Sequence, residues 1–242
     1  MSKKVTPYKN SDLGKKEQVT QMFDTISTNY DGLNRVISFG IDIKWRKRVV
    51  EIIKKKQPTT ILDIATGTGD LAINLVETGA TKIIGLDISP GMLSVGKKKI
   101  EEKKLNNTIE MVVGDSENLP FGEHTFDAVT VAFGVRNFEN LEMGLSEIYR
   151  VLKPGGTLAI LETSVPTKTP FKQGYNFYTK RVLPKIGRLF SKDNSAYEYL
   201  SESAAVFPHG KTFNNILQKI GFIDIENKPQ TLGVASIYVA TK

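Results

Sequence analysis

Cysteine is absent from the 242-residue sequence, and histidine occurs only at His124 and His209. A chain without cysteine forms neither a disulfide nor a thiolate metal site, and two histidines so far apart give no basis for a histidine-bound metal. We therefore expect no metal centre. Because disulfides belong to oxidising compartments, their absence favours a cytoplasmic location.

Long hydrophobic runs are also absent. No segment approaches the roughly 20 apolar residues that a membrane-spanning helix needs. The residues that follow Met1 are polar and do not form the apolar core of a signal peptide. The hydrophobic content of 40% is sufficient for a packed interior, so we expect one large α/β domain.

Acidic residues are missing from one region. The net charge is +7, and no Asp or Glu lies between Thr163 and Lys192. The basic residues of that stretch are Lys168, Lys172, Lys180, Arg181, Lys185, Arg188 and Lys192. The interleaved aromatic residues include Phe171, Tyr175, Phe177 and Tyr178. Three interpretations are open: a solvated helical face, a nucleic-acid contact, or an anionic membrane surface that attracts each basic residue by about 1 kcal/mol.

One short segment indicates a nucleotide-binding sheet. An apolar run from Ile61 to Ile64 leads into a small-residue turn that ends at Gly69. A helical pattern opens at Asp70, and a second apolar run ends at Asp87. This order predicts strand, tight loop, helix and strand, with backbone N–H donors at the start of the helix. A carboxylate at the end of the second strand can accept both hydroxyls of a ribose.

The glycine loop alone does not identify the cofactor. Gly67 and Gly69 fit the start of the dinucleotide fingerprint, so a nicotinamide oxidoreductase is one interpretation. Asp63 favours another, because a carboxylate at this strand end suits an ammonium group such as that of S-adenosylmethionine. Asp115 follows a third apolar run, where it could accept the adenine amino group, with Ser116 beside it. The combination favours S-adenosylmethionine.

Further motifs extend this pattern. They are Tyr30–Asn34, Ser38, Trp45, Gly134–Phe138 and Arg150–Ser164. Together with the glycine loop they resemble the family of S-adenosylmethionine-dependent C-methyltransferases of menaquinone and ubiquinone biosynthesis. Two positions depart from the commonest pattern, with Leu33 where methionine is usual and Asp42 where histidine is usual. The likeness extends from about Lys16 to the C-terminus.

The resemblance implies a fold and a reaction. The fold is α/β: a Rossmann-like, mostly parallel sheet of seven strands with helices on both faces and a closing antiparallel hairpin. The cofactor contacts implied are Asp63, Gly67, Thr68, Gly69, Asp87, Asp115 and Ser116. The implied reaction is C-methylation of demethylmenaquinol to menaquinol, with S-adenosylhomocysteine as the other product and no metal. The polyprenyl benzoquinol of ubiquinone synthesis, or both substrates, is the alternative.

The polyprenylated quinol partner that the resemblance implies also affects where we expect the protein to be located. It favours the membrane interpretation of the basic stretch, with the protein peripheral on the inner face of the cell membrane. The resemblance leaves a homodimer open. No nucleic-acid partner is expected, because the sequence has no base-clamping motif and no appended recognition module.

The hydrophobic pattern divides the single domain into four parts. They are an N-terminal helical extension (1–56), a cofactor-binding core (57–165), a helical insert on the substrate side (166–207), and a final helix with a β-hairpin (208–242). Strands are predicted near 60–65, 82–87, 108–113, 126–133, 156–162, 222–227 and 234–241. Helices are predicted near 18–26, 43–55, 69–79, 90–104, 140–151 and 211–220, with a loop over 31–40.

The catalytic candidates follow the fourth strand, at the edge of the sheet where ligands bind in such folds. Arg136 could stabilise a developing phenolate, and Asn137 could hydrogen-bond a ring oxygen. The substrate-side candidates are Tyr30, Tyr178 and His209. Methyl transfer to carbon is an in-line displacement, and alignment of the reactants alone can lower its activation barrier by about 7–11 kcal/mol. We assign no general base. A scaffold that binds the cofactor without catalysis is the alternative from a different class.

Overall fold

A seven-stranded sheet forms the centre of the computed structural model, which describes residues 5–182 and 194–242. The strands are β1 (Thr60–Ile64), β2 (Lys82–Asp87), β3 (Ile109–Val113), β4 (Phe126–Ala132), β5 (Leu152–Thr163), β6 (Ile223–Gln230) and β7 (Ala235–Thr241). Their spatial order is β3-β2-β1-β4-β5-β7-β6, and β7 runs antiparallel to both of its neighbours. The predicted mostly parallel sheet with a closing antiparallel hairpin is confirmed.

Helices cover both faces of this sheet. They are α1 (Lys15–Ile26), α2 (Tyr30–Ser38), α3 (Ile41–Lys54), α4 (Asp70–Leu75), α5 (Pro90–Glu102), α6 (Leu141–Val151), α7 (Phe171–Phe177), α8 (Asn194–Val206) and α9 (Lys211–Ile220). Side chains of α3, α4 and α5 pack on one face, and those of α6 and α9 pack on the other. Among the described residues, no helix is long and apolar enough to cross a membrane.

The alternation of side chains along β1 explains the two layers. Ile61 packs with the residues of α3 to α5, whereas Leu62 and Ile64 pack with those of α6 and α9. Successive side chains of a strand point to opposite faces, so a strand that is apolar throughout must be covered on both sides. Asp63 breaks the apolar run on the α3–α5 side.

The N-terminal extension packs against the sheet domain through α1. Its contacts form a separate apolar cluster that includes Val19, Met22, Ile26, Met92, Ala196 and Tyr199. These residues come from α1, α5 and α8. The extension therefore joins the start of the chain to the helical insert, directly above the loops that follow β1 and β2.

The predicted loop over 31–40 is wrong, because α2 occupies Tyr30–Ser38. Gly32 is a poor helix former, which is why local propensity suggested a loop. Tertiary contacts override that propensity: Leu33 is buried, and the Asp31 carboxylate accepts a hydrogen bond from the Thr68 hydroxyl at 2.6 Å. The helix stops where Phe39 adopts a left-handed φ of 52°.

Part of the predicted basic insert has a described structure. Lys168 and Lys172 are exposed, and Arg181 is exposed in the π-helical segment Tyr178–Val182 that follows α7. Lys185, Arg188 and Lys192 lie outside the described residues.

Candidate active site

Two cavities meet above the carboxyl edge of the parallel strands. The small cavity has a volume of about 70 Å³ and is lined by residues that follow β1, β2, β3 and β4 and by α1. The large cavity has a volume of about 540 Å³ and lies among α2, α3, α7, α8 and the turn before β7. Tyr30 and Phe133 line both cavities. A ligand in one cavity can therefore touch a ligand in the other.

The glycine loop shapes one wall of the small cavity. Gly67 lines it with a φ of 58°, and a Cβ atom added there would meet no atom within 4 Å. Gly69 is needed for a different reason, because its added Cβ would lie 2.7 Å from Met111 Cε. Ala65 also adopts a left-handed φ, of 51°. The loop leaves open space next to its backbone, as a ligand cradle requires.

Asp63 lies beneath the loop and is almost fully buried, with 1% exposure. Its two carboxylate oxygens accept hydrogen bonds from the hydroxyls of Thr66 and Thr130, each at 2.6 Å. Burial raises its pKa to about 6, against the opposing effect of these two hydrogen bonds. Asp63 is not among the residues that line the small cavity. In this structure it orders the loop.

Asp87 connects the glycine loop to the next helix. Its carboxylate accepts one hydrogen bond from the backbone N–H of Gly67 at 2.8 Å and another from Ser89 N–H at 2.9 Å. The side chain lines the small cavity. Burial raises the pKa of Asp87 to about 6. A carboxylate offers about four acceptor positions, so capacity remains for the hydroxyls of a ribose.

Asp115 and Ser116 also line the small cavity. Lys16 of α1 lines it too, and its ammonium group lies 2.6 Å from Asp115 Oδ2 and 3.4 Å from Glu117 Oε2. The hydrogen bond to Asp115, opposed by burial, raises the pKa of Lys16. The N-terminal extension thus supplies a positive charge to the site. The pattern of carboxylates at the strand ends did not indicate this charge.

Thr68 is not among the residues that line the small cavity. Its hydroxyl donates to Asp31 Oδ1 at 2.6 Å and accepts from the Lys99 ammonium at 3.0 Å. Lys99 also pairs with Asp31 at 2.5 Å and with Asp70 at 2.7 Å. This cluster fastens α2 over the glycine loop. Thr68 holds the extension in place, and its hydroxyl is already committed.

Arg136 and Glu162 form a buried ion pair at the junction of the two cavities. Arg136 Nη1 lies 2.6 Å from Glu162 Oε1 and donates to the carbonyl oxygen of Phe133 at 2.8 Å. Burial opposes the charge of Arg136, but Glu162 outweighs it and raises the pKa of the guanidinium. Arg136 lines the large cavity, and its buried Nε has no hydrogen-bond partner among the described residues.

Asn137 lines the small cavity beside Tyr30. Its amide nitrogen lies 3.3 Å from the carbonyl oxygen of Phe133, and its amide oxygen accepts from the Tyr199 hydroxyl at 3.2 Å. Phe133 itself adopts a left-handed φ of 58°. A non-glycine residue in this conformation is strained, and such strain clusters at functional sites. Burial raises the pKa of both tyrosines, so their hydroxyls stay protonated at neutral pH.

The large cavity is mostly apolar. Tyr175 and Tyr178 line it, and the Tyr178 hydroxyl donates to the carbonyl oxygen of Ile37 at 2.7 Å. His209 lies elsewhere: it lines neither cavity, and its Nδ1 lies 3.2 Å from the carbonyl oxygen of Phe207. The structure thus brings Tyr30, Tyr178 and Arg136 around one cavity and leaves His209 outside it.

Several residues of the site were not predicted from the sequence. Glu162 ends an apolar run at the end of β5, so the rule that selected Asp87 and Asp115 could have found it. Tyr199 and Lys16 gave no such signal, because each belongs to a helix that is distant in sequence from the strand ends it approaches. Their contacts exist only in the folded chain.

Several solved structures share the architecture of this chain. A methyltransferase of Aquifex aeolicus described as SAM-dependent has 18% identity, a TM-score of 0.56, and coverage of 79% of this chain and 88% of that one. Phosphoethanolamine N-methyltransferase 2 of Haemonchus contortus, solved with S-adenosyl-L-methionine, has 20% identity, a TM-score of 0.56, and coverage of 76% and 48%. At this identity the likeness establishes the fold, which is that of the methyltransferases.

The sequence comparisons are more specific. The sequence model of the ubiE/COQ5 methyltransferase family matches residues 11–242, and the chain belongs to that family. A demethylmenaquinone methyltransferase of Bacteroides fragilis is 46% identical over 240 residues, covering 99% of this chain and 98% of its own. A ubiquinone/menaquinone biosynthesis C-methyltransferase of Geobacter sulfurreducens is 42% identical over 242 residues, with coverage of 99% and 93%. The resemblance stated from the motifs is confirmed.

Proposed function

We propose that this protein transfers a methyl group from S-adenosylmethionine to a ring carbon of demethylmenaquinol, giving menaquinol and S-adenosylhomocysteine. The observation that supports this most directly is the meeting, at Tyr30 and Phe133, of a small cavity lined by the strand-end carboxylates Asp87 and Asp115 and a larger apolar cavity. The 46% identical relative bears the name of the same activity.

The residues of the small cavity fit the cofactor. Gly67 leaves space beside the loop, Asp87 has acceptor positions for ribose hydroxyls, and Asp115 offers an acceptor to the adenine amino group. Asp63 acts on the amino-acid end of the cofactor through the loop that it orders. When bound, S-adenosylmethionine supplies an electrophilic methyl group on a sulfonium centre. The described residues include no cluster of His, Asp or Glu arranged to hold a metal.

The residues at the junction of the two cavities act on the substrate ring. Arg136 provides a fixed positive charge for the oxygen next to the attacking ring carbon, and a preorganised charge of this kind stabilises a developing phenolate. Asn137 and Tyr30 bring hydrogen-bonding groups to the same place and set the position of the ring. The reduced quinol is the substrate, because only an electron-rich ring attacks a methyl group.

Membrane contact accounts for delivery of the polyprenylated substrate. Phe39 and Leu232 line the large cavity, yet they are 75% and 64% exposed, so its mouth opens among apolar side chains. Lys168, just before α7, and Lys172, in its first turn, are both exposed. Apolar groups with nearby basic residues suit an anionic bilayer surface. The prenyl tail leaves the cavity at this mouth.

The test is transfer of a labelled methyl group from S-adenosylmethionine to reduced demethylmenaquinone, with a reduced demethylated ubiquinone precursor in parallel. We expect label on the naphthoquinol. Label on the benzoquinol alone would replace the proposed substrate, and label on both would make the enzyme bifunctional. No label on either, with cofactor binding intact, would overturn the proposal in favour of a non-catalytic scaffold.

A further inference from the structure

Asp42 is the sole carboxylate among the described residues that line the large cavity. It lies in the first turn of α3 and is buried, with 4% exposure. An ionised side chain is costly to bury unless it is paired, and Asp42 is paired with Arg46 one turn later in the same helix. The pair places an acceptor in an apolar cavity without adding net charge.

The contacts of Asp42 leave it able to accept more. Oδ1 accepts from the Ser38 hydroxyl at 2.5 Å, and Oδ2 accepts from Nη1 of Arg46. These bonds use two of the roughly four acceptor positions of a carboxylate. The Arg46 guanidinium is itself held 5.6 Å from the centre of the Phe133 ring, so the carboxylate is fixed relative to the junction of the cavities.

The wall of the large cavity therefore carries charged side chains from two elements, Arg136 after β4 and the Asp42–Arg46 pair in α3. Arg136 lies beside Tyr30 and Asn137, which line the small cavity, whereas Asp42 does not line the small cavity. A para-dihydroxy ring also has polar groups at two places, on opposite sides of an apolar body. When the oxygen beside the reacting carbon faces Arg136, the second hydroxyl needs another polar partner on the wall of the large cavity, and Asp42 is the carboxylate acceptor on the described part of that wall.

We infer that Asp42, oriented by Ser38 and Arg46, accepts a hydrogen bond from the substrate hydroxyl that does not flank the reacting carbon. This inference rests on the proposed function and adds a residue that distinguishes a dihydroxy ring from a monohydroxy one. A site built to bind a hydroxyl discriminates strongly against the analogue that lacks it, because its buried polar group is then left unpaired.

The experiment compares kcat/KM for two acceptors, the quinol and the naphthol that keeps only the hydroxyl beside the reacting carbon. The variant is the double substitution Asp42→Leu with Arg46→Met, which removes a buried pair without leaving one charge unpaired. We expect the preference for the quinol to fall by roughly tenfold or more relative to the unmodified protein. The intrinsic reactivities of the two rings cancel in this ratio.

The experiment includes a matched control variant and a second variant of the same site. Ser201→Ala removes another hydroxyl from the wall of the same cavity and should leave the preference unchanged. If the double variant does not fold, Ser38→Ala tests the same site without a change of charge, and the preference should fall by about threefold. An undiminished preference in the folded double variant, or in Ser38→Ala when the double variant does not fold, would overturn the inference. Absence of any transfer to the quinol by the unmodified protein would instead contradict the proposed function.

Discussion

The two cavities differ in size, polarity and origin. The small cavity is lined by strand ends and by carboxylates whose positions are set by the sheet, and it holds about 70 Å³. The large cavity holds about 540 Å³, is mainly apolar, and is built from helices and a turn that are far apart in the chain. The first is suited to a ligand that many enzymes share, and the second to a ligand particular to this one.

The comparison shows where discrimination is located. A nucleoside presents hydroxyls and an amino group, which fixed carboxylates recognise with few contacts. A prenylated ring presents mainly apolar surface, so it needs volume and only a small number of placed polar groups. Changes in one cavity should therefore affect cofactor affinity, and changes in the other should affect the transfer step.

The largest effect is expected at Arg136. Arg136→Met removes the charge proposed to stabilise the phenolate, so kcat should fall by about 10²–10³. The affinity for S-adenosylhomocysteine, measured by calorimetry, should stay within about twofold, because the residue is not a proposed cofactor contact.

The control for that variant addresses stability. Removal of Arg136 alone leaves Glu162 buried without its partner, which costs about 3–5 kcal/mol in such pairs. Arg136→Met combined with Glu162→Gln should regain most of the thermal stability while kcat stays low. Recovery of kcat together with stability would show that Arg136 acts only in folding.

The second-largest effect is expected at Asp87. Asp87→Asn should weaken S-adenosylhomocysteine binding by about 1–3 kcal/mol, because ribose hydroxyls lose a charged acceptor. At saturating cofactor, kcat should change little. Asp127→Asn is the matched control, because Asp127 accepts from Thr60 at the other end of β1 and pairs with Lys153. An unchanged calorimetric affinity of Asp87→Asn would contradict the assignment of Asp87.

The pH dependence of cofactor affinity tests the roles of Asp63 and Asp87. Burial raises the pKa of Asp63 and Asp87 from 3.8 to about 6. The cationic cofactor favours the ionised carboxylates, so its affinity should fall as the pH drops below 6, by up to about tenfold per pH unit for each group. Isothermal titration between pH 5 and pH 8 measures this, and equal affinity across the range would refute it.

The same pKa values have the opposite consequence for the free protein. A carboxyl with a raised pKa binds its proton more tightly in the folded state than in the unfolded state. Its contribution to the free energy of unfolding is therefore largest below pH 4 and is lost as the pH rises through 6. The predicted signs for stability and for cofactor affinity thus differ, which separates ionisation of these groups from general acid unfolding.

The smallest effect is expected at the mouth of the large cavity. Phe39→Ser combined with Leu232→Ser should weaken binding to anionic vesicles several-fold, because insertion of apolar surface contributes about 25 cal/mol per Å². Sedimentation with vesicles measures this. Val113→Ser is the control, since Val113 is 55% exposed at the far edge of the sheet and lines neither cavity. Equal loss of binding in the control would show that the mouth has no special role.

The sheet and the small cavity were largely predictable because their signals are local. The strand-end carboxylates Asp63, Asp87 and Asp115 each follow an apolar run, and parallel strands bring such ends to one edge. Helix α2 was mistaken for a loop, because its stability comes from contacts of Asp31 with Thr68 of the glycine loop and Lys99 of α5 that no local pattern shows.

The apolar cavity was less predictable for the same reason. Its walls combine α2 and α3 with α7, α8 and the turn before β7, so its volume depends on how distant segments pack. Tyr199 and Glu162 approach Arg136 and Asn137 only after folding. The motifs could indicate Arg136, but not the buried carboxylate that holds it.

The most direct test of the two-cavity account is a crystal structure of the protein with S-adenosylhomocysteine and a short-chain demethylmenaquinone. The account predicts ribose oxygens beside Asp87, the adenine edge beside Asp115, and the quinone ring in the large cavity next to Tyr30 and Arg136. A ring bound outside the large cavity, or an adenosine distant from Asp87, would contradict it.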